Sequence, residues 1–101
     1  MSYGAALTAL ADPTRRRIYE RLRQGPQTVG QLAREAAISQ PAASQHLAVL
    51  RKARLVADQR DGARRIYRPT ADGLAELKAY VESLWDDVLT AYARSEPPVE
   101  G

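Results

Sequence analysis

Residues 28–56 read TVGQLAREAAISQPAASQHLAVLRKARLV, and residues 57–68 continue ADQRDGARRIYR. Two helical patterns lie in the first stretch, broken by three residues. Thr28 and Gln31 have the T-x-x-Q spacing of a capping box, and Val29, Leu32, Ala33 and Ala36 recur at helical steps, which predicts a short helix from Thr28 to about Ala37. Ala37-Ile38-Ser39 is a turn, with the bulky Ile38 plugging the angle between two helices. Ser39 caps the next helix, whose first turn tolerates Pro41 and whose core face is Ala43, Leu47 and Leu50 to about Arg54. Leu55–Arg60 and Arg64–Arg68 then read as two short strands around the turn signal Asp61-Gly62.

Working outward, Tyr3–Leu10 is predicted to be a helix with Ala6, Leu7 and Leu10 on one face. Asp12 and Pro13 start a second, with Asp12 as N-cap, Ile18 and Leu22 inward, and Gln24-Gly25-Pro26 as its stop near Arg23. On the other side, Thr70 is expected to cap a long last helix over Ala71–Arg94. Its apolar positions Leu74, Leu77, Val81, Leu84, Trp85, Val88 and Tyr92 are three or four residues apart. The expected architecture is mostly α with a small β-hairpin, in the order helix-helix-helix-helix-strand-strand-helix. A short helix, a tight turn, a second helix and a basic hairpin make a winged helix-turn-helix. Residues 1–94 form one such domain in this reading, and residues 95–101, SEPPVEG, a flexible tail.

A chain of 101 residues has a modest core, so a second subunit would help it. Its charge is divided. Residues 1–70 carry 13 Lys and Arg against 5 Asp and Glu, whereas residues 71–101 carry 2 against 7. A basic body beside an acidic last third points to a polyanion partner for the first and another task for the second, as against two differently solvated surfaces. There is no cysteine, which excludes disulfides and thiolate metal sites and agrees with a cytoplasmic protein. No apolar run approaches the roughly 20 residues of a membrane helix.

The predicted second helix of the pair opens with small or amide side chains. Ser39, Gln40, Pro41, Ser44 and Gln45 would let a backbone enter the major groove of duplex DNA, where Gln can pair bidentately with adenine and Ser with a base or phosphate. Gln40–Val49 has no formal charge unless His46 is protonated, unlike an ordinary surface helix. His46, the only histidine, is either a DNA contact or a packed ring. Arg60, Arg64 and Arg65 on the hairpin are the choices for phosphate or minor-groove contacts, the alternative being an edge kept soluble by charge. Arg15-Arg16-Arg17 reads as a solvated face with an Arg16–Glu20 pair. The last helix carries more apolar surface than a domain this small can cover. Two-fold pairing through Leu7, Leu10, Val81, Leu84, Trp85, Val88 and Tyr92 would bury it, the alternative being that the helix packs back on its own domain. No nucleophile–base pairing, metal cluster or glycine-rich phosphate loop suggests an enzyme or a cofactor. A winged helix that docks on a protein rather than on DNA is the alternative function.

The segments LADPTRRRIYERL, TVGQLAREAAISQPAASQHLAVLRKARLV and RDGARRIYRPTADGLAEL resemble the ArsR family of bacterial repressors, over about Ala6–Leu77. The run S-Q-x-x-x-S-Q-H-L-x-x-L-R is the most specific part. The resemblance implies a homodimeric repressor of a pseudo-palindromic DNA operator, with DNA contacts at Gln40, Ser44, Gln45 and the wing arginines. Many members sense metals through a cysteine pair on the third helix, but here that helix reads QLAREAA. Others use histidine and carboxylates on the last helix, which has no histidine here. The region Leu84-Trp85-Asp86 is similar to a subgroup without a known metal site. The expectation is thus a metal-independent member, with a small-molecule effector left open.

Overall fold

The computed structural model describes residues 3–94, so the expected tail at 95–101 lies outside the described residues. Five helices and three strands follow one another as α1 (Tyr3–Ala11), α2 (Pro13–Leu22), β1 (Gln27–Thr28), α3 (Val29–Ala36), α4 (Gln40–Lys52), β2 (Val56–Asp61), β3 (Arg64–Pro69) and α5 (Asp72–Arg94). The helix-turn-helix and the wing stand where the sequence puts them. Boundaries move by one or two residues, as fraying ends do.

The caps explain the boundaries. Asp12 accepts a hydrogen bond from the Arg15 backbone N–H at 2.9 Å and opens α2. That bond, above all, holds the Asp12 carboxyl below the usual carboxylate range. Thr28 and Gln31 form the reciprocal capping box at the head of α3. Ser39 Oγ accepts from the Ala42 N–H at 3.2 Å to open α4. Two helix ends close on left-handed residues that are not glycine, Ala37 (φ 58°) and Arg54 (φ 62°). In each the two following N–H groups reach back to the last turn: Ala37 to Arg34 and Ile38 to Ala33, then Arg54 to Arg51 and Leu55 to Leu50.

Ile18, Leu22, Leu32, Leu47, Leu50 and Leu55 are fully buried and join α2, α3, α4 and the base of the wing. Leu10, Val29, Ala36, Ile38 and Leu77 pack against them, partly buried. On α1 the buried residues are Ala6 and Ala9, while Leu7 is exposed, so the inward face is turned by one step from the expected one.

Three further sequence expectations are corrected. First, the sheet has three strands in the order β1-β3-β2, because Gln27 and Thr28 pair antiparallel with Tyr67 and Ile66. Second, Arg16 does not pair with Glu20. Arg15 and Arg16 turn back onto the carbonyls of Thr8, Ala9 and Leu10, and Glu20 pairs with Arg23 at 2.6 Å. Helix α1 has no basic residue in its own last turn, so α2 supplies the positive charge that its carbonyl end favours. Third, Thr70 does not cap α5. Its hydroxyl donates to the Arg54 carbonyl at 2.9 Å, and the first backbone acceptor of α5 is Ala71.

Candidate nucleic-acid interface

Helix α4 has two sides. Ala43, Leu47 and Leu50 are buried, and Gln40, Pro41, Ser44, Gln45, Ala48 and Val49 are exposed. At 100° per residue the exposed set covers one continuous arc. Its N-terminal part holds only amide, hydroxyl and small side chains, and Ser39 stands exposed at its head.

The wing is placed against this arc by the strand that sequence patterns missed. Pairing of Thr28 with Ile66 brings the start of α3 beside β3, and with it a groove of about 470 Å³ between helices and hairpin. Its lining includes Thr28, Gly30, Gln40 and Ser44 on one side and Arg60, Arg64 and Arg65 on the other. Gly30 leaves this corner open, since a Cβ there would stand 3.2 Å from the Gln40 amide nitrogen. A two-residue segment is too short for any periodic signal, and Thr28 was legible only as a cap.

The hairpin turns tightly at Gly62-Ala63, between the paired residues Asp61 and Arg64. Gly62 takes φ +66°, which glycine allows at the first position of such a loop. Arg60 and Arg65 face each other one step further in. Their partners differ. Asp58, whose side chain is only 8% exposed, holds Arg65 in an ion pair and Arg51 at 3.4 Å. Arg64 makes a long, exposed contact of 3.4 Å to Asp61. Arg60 has no hydrogen bond or ion pair among the described residues. Arg68 donates to the Gln59 amide at 3.2 Å.

His46 stands apart from this groove. It is half-buried at the margin of α4, with Nδ1 3.4 Å from the Arg15 guanidinium. Arg15 also donates to the Ala9 carbonyl at 2.9 Å, so α1, α2 and α4 meet at one side chain. On the other side of α2, Arg21 grips Glu35 of α3 with two parallel contacts, one of 2.6 Å, which lower the Glu35 carboxyl and raise the Arg21 guanidinium. The helix pair that presents α4 is thus tied from both flanks.

The proposed pairing residues lie elsewhere. Every residue of α5 from Val81 to Arg94 is exposed, including Val81, Leu84, Trp85 (63%), Val88 (62%) and Tyr92. Leu89, absent from the predicted stripe, is exposed on the same side. Leu7 on α1 is exposed as well, whereas Leu10 is partly buried in its own domain. Tyr3 stacks on Tyr80 with ring centroids 4.2 Å apart, which fixes α1 against the near half of α5.

A model described as a helix-turn-helix domain matches residues 10–59. The transcriptional regulator Rv2034 of Mycobacterium tuberculosis is 52% identical over 89 residues, spanning 88% of this chain and 83% of that protein. The chain belongs to the ArsR family of winged helix-turn-helix transcriptional regulators. The transcriptional repressor SdpR of Bacillus subtilis is 43% identical over 54 residues, 54% of this chain and 60% of that protein. A solved ArsR-like transcriptional regulator from Rhodococcus sp. RHA1 superposes with a TM-score of 0.76 at 28% identity, covering 89% of this chain and 88% of that one. Family members are DNA-binding regulators of transcription and not enzymes. Among the described residues, no helix is long and apolar enough to cross a membrane.

Proposed function

We propose that two copies of this chain pair through α5 and α1 and repress transcription by occupying a pseudo-palindromic operator. The observation that carries the reading is the groove in which the charge-free arc of α4 faces three wing arginines. In this reading Ser39, Gln40, Pro41, Ser44 and Gln45 enter the major groove and read base edges. Arg60 and Arg64 hold the phosphate backbone, and Arg65 adds charge from its pair with Asp58. His46 serves the Arg15 contact and keeps α4 in place rather than touching DNA. Pairing covers Leu7, Val81, Leu84, Trp85, Val88 and Tyr92, and puts the acidic helix away from DNA. Release from the operator does not run through a thiolate or histidine metal site, because these 101 residues contain no cysteine and one histidine, which faces Arg15.

A mobility-shift titration on the DNA upstream of its own coding sequence tests this. The expected result is a sequence-specific complex at moderate salt, with affinity falling as salt rises and unchanged by a chelator. Absence of a specific complex, or its loss on chelation, contradicts the reading.

A further inference from the structure

The end of α4 and the start of α5 meet at one carbonyl. Arg54, the first residue past the recognition helix's cap, takes the left-handed φ of 62° where α4 ends. Its carbonyl oxygen accepts from the Gly73 N–H at 2.8 Å and from the Thr70 hydroxyl at 2.9 Å, and the Leu55 carbonyl accepts from the Thr70 N–H at 3.0 Å. Gly73 is buried, and a Cβ on it would lie 2.2 Å from the Ala53 carbonyl oxygen and 2.8 Å from that of Arg54. Both are backbone atoms that cannot swing aside. The Arg54 side chain reaches over the same junction to Glu76 at 3.2 Å and Asp72 at 3.9 Å. Backbone, side chain and glycine therefore fix the first turn of α5 directly on the end of the recognition helix.

The position of this joint gives it leverage. Among the described residues of α5, Gly73 is buried and Glu76, Leu77 and Tyr80 are half-buried, all in its near half, and every residue beyond Tyr80 is exposed. From Gly73 to Arg94 the helix runs on the order of 30 Å, so a tilt of about 10° at the joint displaces its far end by roughly 5 Å. That is more than the roughly 3.4 Å between successive bases of a strand.

We propose that the seating of Thr70 and Gly73 on the Arg54 carbonyl sets the distance between the two recognition helices of the dimer, and with it the half-site spacing that the operator must have. Thr70, Gly73 and Arg54 are positioning residues that touch no base. The inference rests on the dimeric DNA-binding reading above. Spacing preference is the readout, because a merely structural role would weaken binding at every spacing alike.

The test takes duplexes selected from a random pool by the wild-type protein. From the best of them a series is made in which half-site separation changes by one and two base pairs in each direction. Wild type, Gly73→Ala and Thr70→Val are titrated on the series and on a single half-site, and their association is followed by sedimentation. Gly73→Ala is expected to stay dimeric and to bind the single half-site as wild type does. Its affinity at the wild-type spacing should fall about tenfold or more, because the two sites can no longer engage together, and its best spacing should move. Thr70→Val, which keeps the glycine contact, should flatten the spacing preference by a few-fold, and it decides the question if Gly73→Ala does not fold. A sharp wild-type optimum that a folded Gly73→Ala retains overturns this inference alone, as does one that Thr70→Val retains when Gly73→Ala does not fold. A wild-type protein that does not bind paired half-sites as a dimer overturns both this inference and the functional reading beneath it.

Discussion

Helix α4 buries Ala43, Leu47 and Leu50 along one side and keeps Gln40, Ser44 and Gln45 on the other, whereas α5 beyond Tyr80 buries nothing. Both helices expose a side, but the exposed sides are opposite in kind. On α4 the N-terminal part of that side is charge-free and polar, with wing arginines across the groove. That of α5 is apolar, with Trp85, Val88 and Tyr92 each more than half exposed. In the proposed assembly the first surface is finished within one chain and the second is completed by another copy. The apolar stripe on α5 has a standing cost in water, at roughly 25 cal/mol per Å², and is relieved only by cover. Exposed polar groups such as those on α4 carry no such cost in water.

The largest effect is expected at Trp85. Trp85→Glu places a charge on the stripe and should abolish dimers in sedimentation. Operator affinity should fall about 100-fold or more, since two half-sites no longer bind as one unit. Its circular dichroism should stay native, because this part of α5 contributes no buried residue to its own domain. A dimer that survives would move the interface elsewhere. On the other surface, Gln45→Ala should leave dimers intact and cost about 1–3 kcal/mol of discrimination at one base position, with an unchanged salt slope. Equal weakening on all sequences would remove Gln45 from base reading.

The wing makes a finer distinction. Arg60→Ala should reduce the slope of log affinity against log salt by about one. Arg65→Ala should reduce it less, because Arg65 is already compensated by Asp58. Equal slopes for the two would mean that DNA draws Arg65 out of its pair. The smallest effect belongs to the turn between α3 and α4. Ala37→Gly removes left-handed strain and should raise thermal stability by about 1 kcal/mol, read from the melting midpoint, with dimerisation unchanged. Lower stability would show that Ala37 carries no such strain.

Much of this was legible in the sequence because local rules set it. Asp12, Thr28 and Ser39 cap the helices they were read to cap, and the steps of three and four on α4 identify its buried side. What was not legible depends on residues distant in the chain. Strand β1 exists only because Gln27 and Thr28 meet Tyr67 and Ile66. Thr70 has the composition of a helix cap, yet its hydroxyl finds a carbonyl 16 residues earlier. Arg16 has a glutamate at the favoured helical spacing, yet the carbonyl end of α1 lies within reach. Arg54 carries no sequence sign of a left-handed conformation, a position glycine usually fills. The candidate DNA face shows the same split. Its helix residues were visible as a pattern, whereas the groove that joins them to Arg60, Arg64 and Arg65 comes from the third strand.

In the proposed complex two chains, paired through α5, read two half-sites with α4. A hydroxyl-radical footprint of the purified protein on its selected operator tests it most directly, run beside Trp85→Glu at the same concentration. Two protected patches are predicted on one face of the duplex, centred about 10–10.5 base pairs apart or a multiple of that, and both should vanish for Trp85→Glu. A single protected patch, or two that persist in that variant, would contradict the account.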